Sequence, residues 1–254
     1  VRILISNDDG IGSEGLLALY EELARIAEVW VVAPDREQSA ASHAITLHRP
    51  LRIRERKKHW YEIDGTPTDC VYVAINHLMK QARPDVICAG INDGPNLGND
   101  VFYSGTVAAA VEGALFDISS IAFSYAGEDR RFDVAARFAA RLTHEVAARP
   151  LPKSTLLNVN VPSAASARYA VTFLGKRSYG SDVIEKTDPR GRHYYWIGGV
   201  QAGFEDLPGS DCNVVLGQSL ISVTPLNLDF TDHSLLGILR TWEIPGYARE
   251  LEGT

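Results

Sequence analysis

The sequence predicts a doubly wound α/β fold, an open and mostly parallel sheet with helices on both faces. Short strands rich in Val and Ile alternate with helical stretches from residue 1 to residue 161. Several of these strands, such as VRILIS and TLLNVNV, are nearly continuous apolar runs rather than alternating ones, as expected of strands covered on both sides. The chain has 254 residues, enough for one large α/β unit or a core with a smaller appendage.

VRILIS (1–6) and EVWVVA (28–33) are the first two strands, and between them Leu16, Leu19, Tyr20, Leu23 and Ile26 recur at helical spacing. The three make a β-α-β unit, which implies parallel pairing with a right-handed crossover. Residues 45–63 form two or three extended segments ending at the turn Asp64-Gly65. Thr66 then stands as N-cap and Pro67 as the first residue of a helix. A strand at 85–90, a helix from 104 to 116 and a strand at 119–125 continue the alternation. A helix at 131–147 follows, its apolar stripe being Val134, Phe138, Leu142 and Val146, and then a buried strand at 155–161.

The character changes after Pro162. Residues 170–200 are rich in charge, Gly and aromatics, and 176–199 has the look of a long hairpin tipped by Asp188-Pro189-Arg190-Gly191. Tyr194, Tyr195 and Trp196 on one arm need burial somewhere. A final core strand at 219–226 and a helix around 233–241 complete the chain. The expected division is a core over 1–165 and a C-terminal part over 166–254.

Hydrophobic residues make up 45% and charged residues 22%, ordinary for a soluble globular protein. The net charge of -7 argues against diffuse attraction to nucleic acid or to an anionic membrane, and neither is expected as a partner. Cys70, Cys88 and Cys212 are too few and too far apart for a disulfide framework or a CxxC metal site. With no signal-peptide layout and no membrane-length apolar run, a cytoplasmic protein is expected.

Three constellations carry chemistry. Asn7-Asp8-Asp9-Gly10 follows the first strand directly. Its carboxylates can converge on one cation from a loop, and would repel each other without one. Read alone it is equally a solvated turn. Gly10-Ile11-Gly12-Ser13-Glu14-Gly15 also matches GxGxxG, with Asp35 after the second strand, which leaves a nicotinamide-dependent oxidoreductase as the alternative. Asp8 and Asp9 count against it, because a pyrophosphate there would meet anionic neighbours.

The second constellation is APDREQSAASHAIT (33–46), a loop of small residues carrying Ser39, Ser42 and His43. The third is GINDGPNLGNDVFYSGTVAAAVEGAL (90–115), where a polar loop with Asn92, Asn96 and Asn99 enters an Ala-rich helix at Ser104-Gly105-Thr106. Ser104 fits an N-cap, and the same unpaired first-turn N–H groups suit a phosphate. In an open parallel sheet ligands gather beyond the carboxyl ends of the strands. Asp8, Asp9, Ser39 and Asn92 all fall there, making a hard, all-oxygen set suited to Mg²⁺, Mn²⁺ or Ca²⁺.

At these residues the sequence resembles the SurE (survival protein E) family of 5′/3′-nucleotidases. The matching stretches are ILISNDDG, VVAPDREQSAASHAITL, DGTPTDCV, GINDGPNLGNDVFYSGTVAAAVEGA, TDPRGRHYYWIGG and GSDCNVVLGQSLISVTPL, spanning residue 1 to about residue 230. The resemblance implies a Rossmann-like, three-layer core with one divalent ion per subunit on Asp8, Asp9, Ser39 and Asn92. It implies phosphate contacts from Asn96, Ser104, Gly105 and Thr106; from the parts themselves, Asp8 or Asp9 is the catalytic candidate, orienting the attacking water or attacking directly. The activity it implies is hydrolysis of nucleoside 5′- and 3′-monophosphates, in some members also of short polyphosphate. It further implies a homodimer or homotetramer assembled through the hairpin and the C-terminal segment. A nucleotide-binding module without turnover remains a third reading of the same loops.

Overall fold

The computed structural model describes residues 1–163, 168–179, 183–197 and 203–247. Residues 180–182 and 198–199 of the expected hairpin, and the tail beyond 247, lie outside the described residues. The first unit is β1 (Arg2–Ser6), α1 (Glu14–Leu23) and β2 (Glu28–Pro34). An antiparallel pair follows, β3 (Ile53–Lys57) with β4 (Trp60–Ile63), then α2 (Pro67–Val73) and β5 (Val86–Asp93). The core continues as α3 (Gly105–Leu115), β6 (Ser119–Tyr125), α4 (Phe132–Ala148) and β7 (Thr155–Val161). Beyond it come β8 (Tyr169–Val171), β9 (Arg177–Ser178), β10 (Val183–Thr187), β11 (His193–Ile197), β12 (Gly203–Phe204), β13 (Ile221–Asn227) and α5 (His233–Leu239).

Nine strands form one sheet in the order β3-β4-β2-β1-β5-β6-β7-β13-β8. Pairing from β4 through β7 is parallel, while β3 against β4 and β13 against β7 are antiparallel. The predicted doubly wound class is therefore the observed one. One apolar layer joins α1 and α4 to the sheet through Leu16, Leu19, Leu23 and Ala139. The other lies under α2 and α3, around Val71, Ile75, Ala109 and Ala110. Each Leu buried in this way contributes roughly 1.5–3 kcal/mol.

Two helical stripes differ from the expected ones. Ile26 is exposed, because α1 ends at Leu23 with Ala24 as its cap. In α4 the fully buried face is Ala135, Ala136, Ala139 and Thr143, whereas Val134, Phe138 and Leu142 are only partly buried. Val146 of the expected stripe is buried, as is Phe132, while Val134, Phe138 and Leu142 pack against the edge of the same apolar layer. Thr66 does cap α2, in a reciprocal box with Asp69, and Pro67 opens that helix.

Strand β5 runs three residues past the expected end, and its register against β6 shifts between Ala89 and Asn92. At the shift sits Gly90, with φ +121 and a backbone so close to Phe123 that a Cβ would fall 2.3 Å from its carbonyl oxygen. The irregularity carries Asn92 and Asp93 out over the carboxyl edge of the sheet, where bulges commonly re-aim side chains.

β10 and β11 form the expected hairpin, from Val183 opposite Ile197 to Thr187 opposite His193. Asp188 closes its tip by accepting the amides of Arg190 at 2.8 Å and Arg192 at 2.9 Å. These hydrogen bonds hold its carboxyl below the usual carboxylate range. Every residue of both strands is exposed, Tyr194, Tyr195 and Trp196 included. Cys70, Cys88 and Cys212 are buried and unpaired. Among the described residues no helix is long and apolar enough to cross a membrane.

Candidate active site

A cavity of about 950 Å³ opens beyond the carboxyl ends of β1, β2 and β5. Asp8 follows β1 and is 4% exposed, and Asp9 beside it is partly buried. The Thr106 hydroxyl, from the first turn of α3, donates to Asp8 Oδ1 and lies 3.3 Å from Asn92 Oδ1. One buried hydroxyl thus touches the ends of two strands. Asn92 is oriented by its own amide, whose Nδ2 donates to the Gly94 carbonyl at 2.8 Å.

Gly105 allows this convergence. A Cβ at that position would fall 2.8 Å from Asp8 Cβ and 2.9 Å from Asp8 Oδ2. The carboxylate of Asp8 therefore lies against the N-terminus of α3, where unpaired N–H groups favour negative charge. Ser104 caps the helix, its Oγ accepting the Val107 amide at 3.1 Å.

Ser39 comes from the loop after β2. Gln38 N donates to the Asp8 carbonyl at 2.7 Å, and Ser42 is tied to the carbonyls of Phe102 and Tyr103. The loop is held against the cavity, with Ser39 Oγ donating to Glu37 Oε1 at 2.6 Å. Asn96 is 7% exposed, its Nδ2 donating to Ser124 Oγ at 2.8 Å. Its backbone is gripped by Asn158 and Asn160 of β7. Asp8, Asp9, Ser39, Asn92, Asn96 and Ser104 all line the one cavity. Thr106, fully buried, reaches it through Asp8.

The electrostatics are lopsided. Asp8, Asp9, Glu14, Glu37, Asp93 and Asp100 line the cavity, against the single guanidinium of Arg130 among its described lining residues. Arg130 is itself bound to Asp93 Oδ2 through Nε at 2.9 Å and Nη2 at 2.5 Å. Burial raises the Asp8 carboxyl from its ordinary value, opposed by the Thr106 hydroxyl and by the Thr106 and Gly105 amides. Burial and then the neighbouring Asp8 charge push Asp9 up to about 6. Buried carboxylates so close together call for a cation or a proton.

The donor set fits a hard cation: two carboxylates, an amide oxygen and a hydroxyl on the rim of one cavity. Among the described residues no group of three His, Cys, Asp or Glu could hold a metal ion.

The glycines of the dinucleotide-like motif have other work here. Gly10 adopts φ +91, and Gly15 brings α1 so near β5 that a Cβ would fall 2.0 Å from the Ile91 carbonyl oxygen. Ser13 caps α1 while accepting Asn7 Nδ2 at 2.7 Å. Asp35, the would-be ribose ligand, lies outside the cavity, beside Arg52 and Asp64. His43 is also absent from the lining and sits 2.8 Å from Glu112 of α3, where it answers a nearly buried carboxylate.

Sequence reading missed the Asp93–Arg130 pair, Glu37 and the asparagines of β7. Asn158 and Asn160 carried a usable signal, since two amides on one face of a buried strand need partners. Arg130 carried none, because it is one of two adjacent arginines in an acidic loop after β6 with no motif around it.

Comparisons with known proteins agree with one another. Residues 3–181 match the model of a family described as Survival protein SurE. A 5′-nucleotidase SurE of Anaeromyxobacter sp. (strain Fw109-5) is 57% identical over 252 residues, covering 98% of this chain and 99% of that protein. One from Myxococcus xanthus is 56% identical over 251 residues, covering 98% and 95%. The crystal structure of the SurE protein from Aquifex aeolicus superposes with a TM-score of 0.82 at 37% identity, over 94% of this chain and 98% of that one.

Proposed function

The chain belongs to the SurE family, and from that premise we propose that it is a 5′-nucleotidase, a phosphomonoesterase converting nucleoside monophosphate and water into nucleoside and phosphate. One observation supports this above the others: Asp8, Asn92 and the N-terminus of α3 meet at the Thr106 hydroxyl, beyond the strand ends. A cavity otherwise ringed by carboxylates repels a phosphate dianion unless a cation sits between them.

Asp8, Asp9, Ser39 and Asn92 would hold one divalent ion, Mg²⁺ or Mn²⁺ by the hardness of the donors. Such an ion supplies charge neutralisation and Lewis acidity at a phosphoryl oxygen. The chain supplies the rest. Asp8 is the fixed ligand, clamped by Thr106 and the helix end. Asp9 is less buried and faces the cavity, where it orients the attacking water. Asn96 and Ser104 line the cavity and would contact the phosphate, while Gly105 and Thr106, which are buried against Asp8 and do not line it, would contribute through the amides at the start of α3.

The exposed hairpin and α5 fit a homodimer or homotetramer in which a second copy covers them. Phosphate release from 5′-AMP, measured in excess EDTA and again after adding Mg²⁺ or Mn²⁺, tests the activity. Release only with metal is the expected result. Full turnover in EDTA would remove the cation from the reading, and binding of AMP without turnover would leave a nucleotide-binding module. Arms with 3′-AMP and short polyphosphate define the breadth of the activity.

A further inference from the structure

The cavity is far larger than a phosphate group needs, and its wall is not all carboxylate. Carboxylates gather around Asp8, but Tyr103, Phe132, Tyr179 and Ile197 also line it. Two of these rings are placed in an unusual way. Tyr103 directly precedes the helix cap Ser104, and its backbone is fixed on both sides. Its N–H donates to the Asp100 carbonyl at 3.0 Å, and its carbonyl accepts Ser42 N at 3.2 Å. The residue is nevertheless 68% exposed. Tyr179 enters from the base of the hairpin, its hydroxyl donating to Asp100 Oδ1 at 2.5 Å. The Arg177 guanidinium lies 5.3 Å from its ring centroid, and Tyr179 as a whole is 53% exposed. Asp100 thus holds both residues, one by its carbonyl and one by its carboxylate.

We infer that Tyr103 and Tyr179 are the nucleobase platform of this enzyme, receiving by stacking the base of a nucleotide whose phosphate lies at the start of α3. The inference rests on the proposed nucleotidase activity and names the part of the substrate that the phosphate site leaves unread. A rigid backbone carrying an open aromatic face suits stacking, because little side-chain freedom is lost when the base arrives. Of the nearby guanidiniums, Arg130 is bound to Asp93, and Arg177 stands 3.7 Å from Asp100 Oδ2 over one face of Tyr179, which leaves that ring its other face for a base. Recognition dominated by stacking tolerates every base, since each has a π-face. The site therefore favours nucleotides over other small phosphomonoesters without selecting strongly among bases.

The test compares kcat/KM for 5′-AMP and for ribose 5-phosphate, which shares the sugar and phosphate but has no base. The Mg²⁺-loaded wild type should prefer AMP, and Tyr103→Leu and Tyr179→Leu should each cut that preference about five- to a hundred-fold through KM. Tyr103→Phe, which keeps the ring, should retain it. A loss shared equally by both substrates, or no loss, overturns the inference. So does a change of oligomeric state in the variants with the preference intact, because the rings would then be covered by a second copy. Should a Leu variant misfold, the wild type still decides: adenosine must inhibit competitively where ribose at the same concentration does not, and equal inhibition overturns the platform. If the wild type hydrolyses neither compound, the nucleotidase reading itself has failed. If it hydrolyses both with equal kcat/KM, only the platform has.

Discussion

Helices α3 and α5 begin alike and end in opposite environments. Both are apolar and both are capped by a side-chain oxygen, Ser104 in one and Asp232 in the other. In α3 Gly105 through Ala110 are all buried, whereas α5 buries no residue and leaves Leu235, Leu236, Ile238 and Leu239 exposed. Seven residues are too few to make an isolated helix stable in water. Local signals therefore start both helices, but tertiary packing within one chain sustains only the first. The helix at the candidate site is a part of the core, and the C-terminal helix is an exposed apolar surface.

The largest effect should come from breaking the buried side of this contrast at its chemical end. Asp8→Asn or Asp9→Asn should lower kcat/KM for AMP on the order of 10³-fold or more with an unchanged circular dichroism spectrum. Near-normal turnover in either variant would reduce the pair to a turn. Gly105→Ala comes next, because the new methyl group must displace the Asp8 carboxylate. Overpacking of this kind costs about 1–3 kcal/mol, so a lower melting temperature and weaker metal activation are both expected. A variant as active as wild type would show that Asp8 can move freely.

Cutting the chain after residue 230 removes α5, which should shift the species seen by light scattering towards a smaller assembly. Metal binding by the shortened chain should persist, since none of the proposed ligands is lost. An assembly unchanged by the truncation would place the interface elsewhere.

A smaller effect concerns protons. With no cation in place, burial and then the Asp8 charge push the Asp9 carboxyl up to about 6, above its ordinary 3.8. Between those values the folded state binds more protons than the unfolded, so stability falls as pH rises through this window. Thermal melts in EDTA at pH 5 and 7.5 should show a steeper fall for wild type than for Asp9→Asn, and Mg²⁺ should abolish the difference. Identical slopes in EDTA would contradict the burial of that carboxylate. The smallest effect is a matched pair of caps. Ser104→Ala and Asp232→Ala should each cost about 1 kcal/mol of helix stability. Only the first should also weaken phosphate inhibition, and equal weakening by both would erase the contrast.

Much of this was legible in the chain. The strands at 119–125 and 155–161 fall where the sequence puts them. The loops after β1, β2 and β5 open on one cavity, because parallel strands deliver their carboxyl ends to the same edge. The rest depends on contacts between distant segments. No local pattern in ISVTPLN says that β13 inserts antiparallel beside β7, with β8 added outside it. The bulge between Ala89 and Asn92 arises from the approach of Phe123 to Gly90. Ile26 misleads because a spacing rule does not report where a helix stops. The exposed hairpin strands show the same limit, since an aromatic cluster announces a need for burial without saying what meets it.

The contact of Asp8 with the first turn of α3 has one more consequence. While its carboxylate is bare, it occupies the same unpaired helix donors that a phosphate would use, and repels that phosphate as well. A cation held by Asp8, as proposed, would neutralise that carboxylate and relieve the repulsion. The two proposed ligands would then be heterotropically linked, and thermodynamics makes such linkage reciprocal: phosphate would tighten the cation by the factor with which the cation tightens phosphate. Paired calorimetric titrations in either order would measure one coupling constant, set by a glycine that leaves no room between a helix and an aspartate.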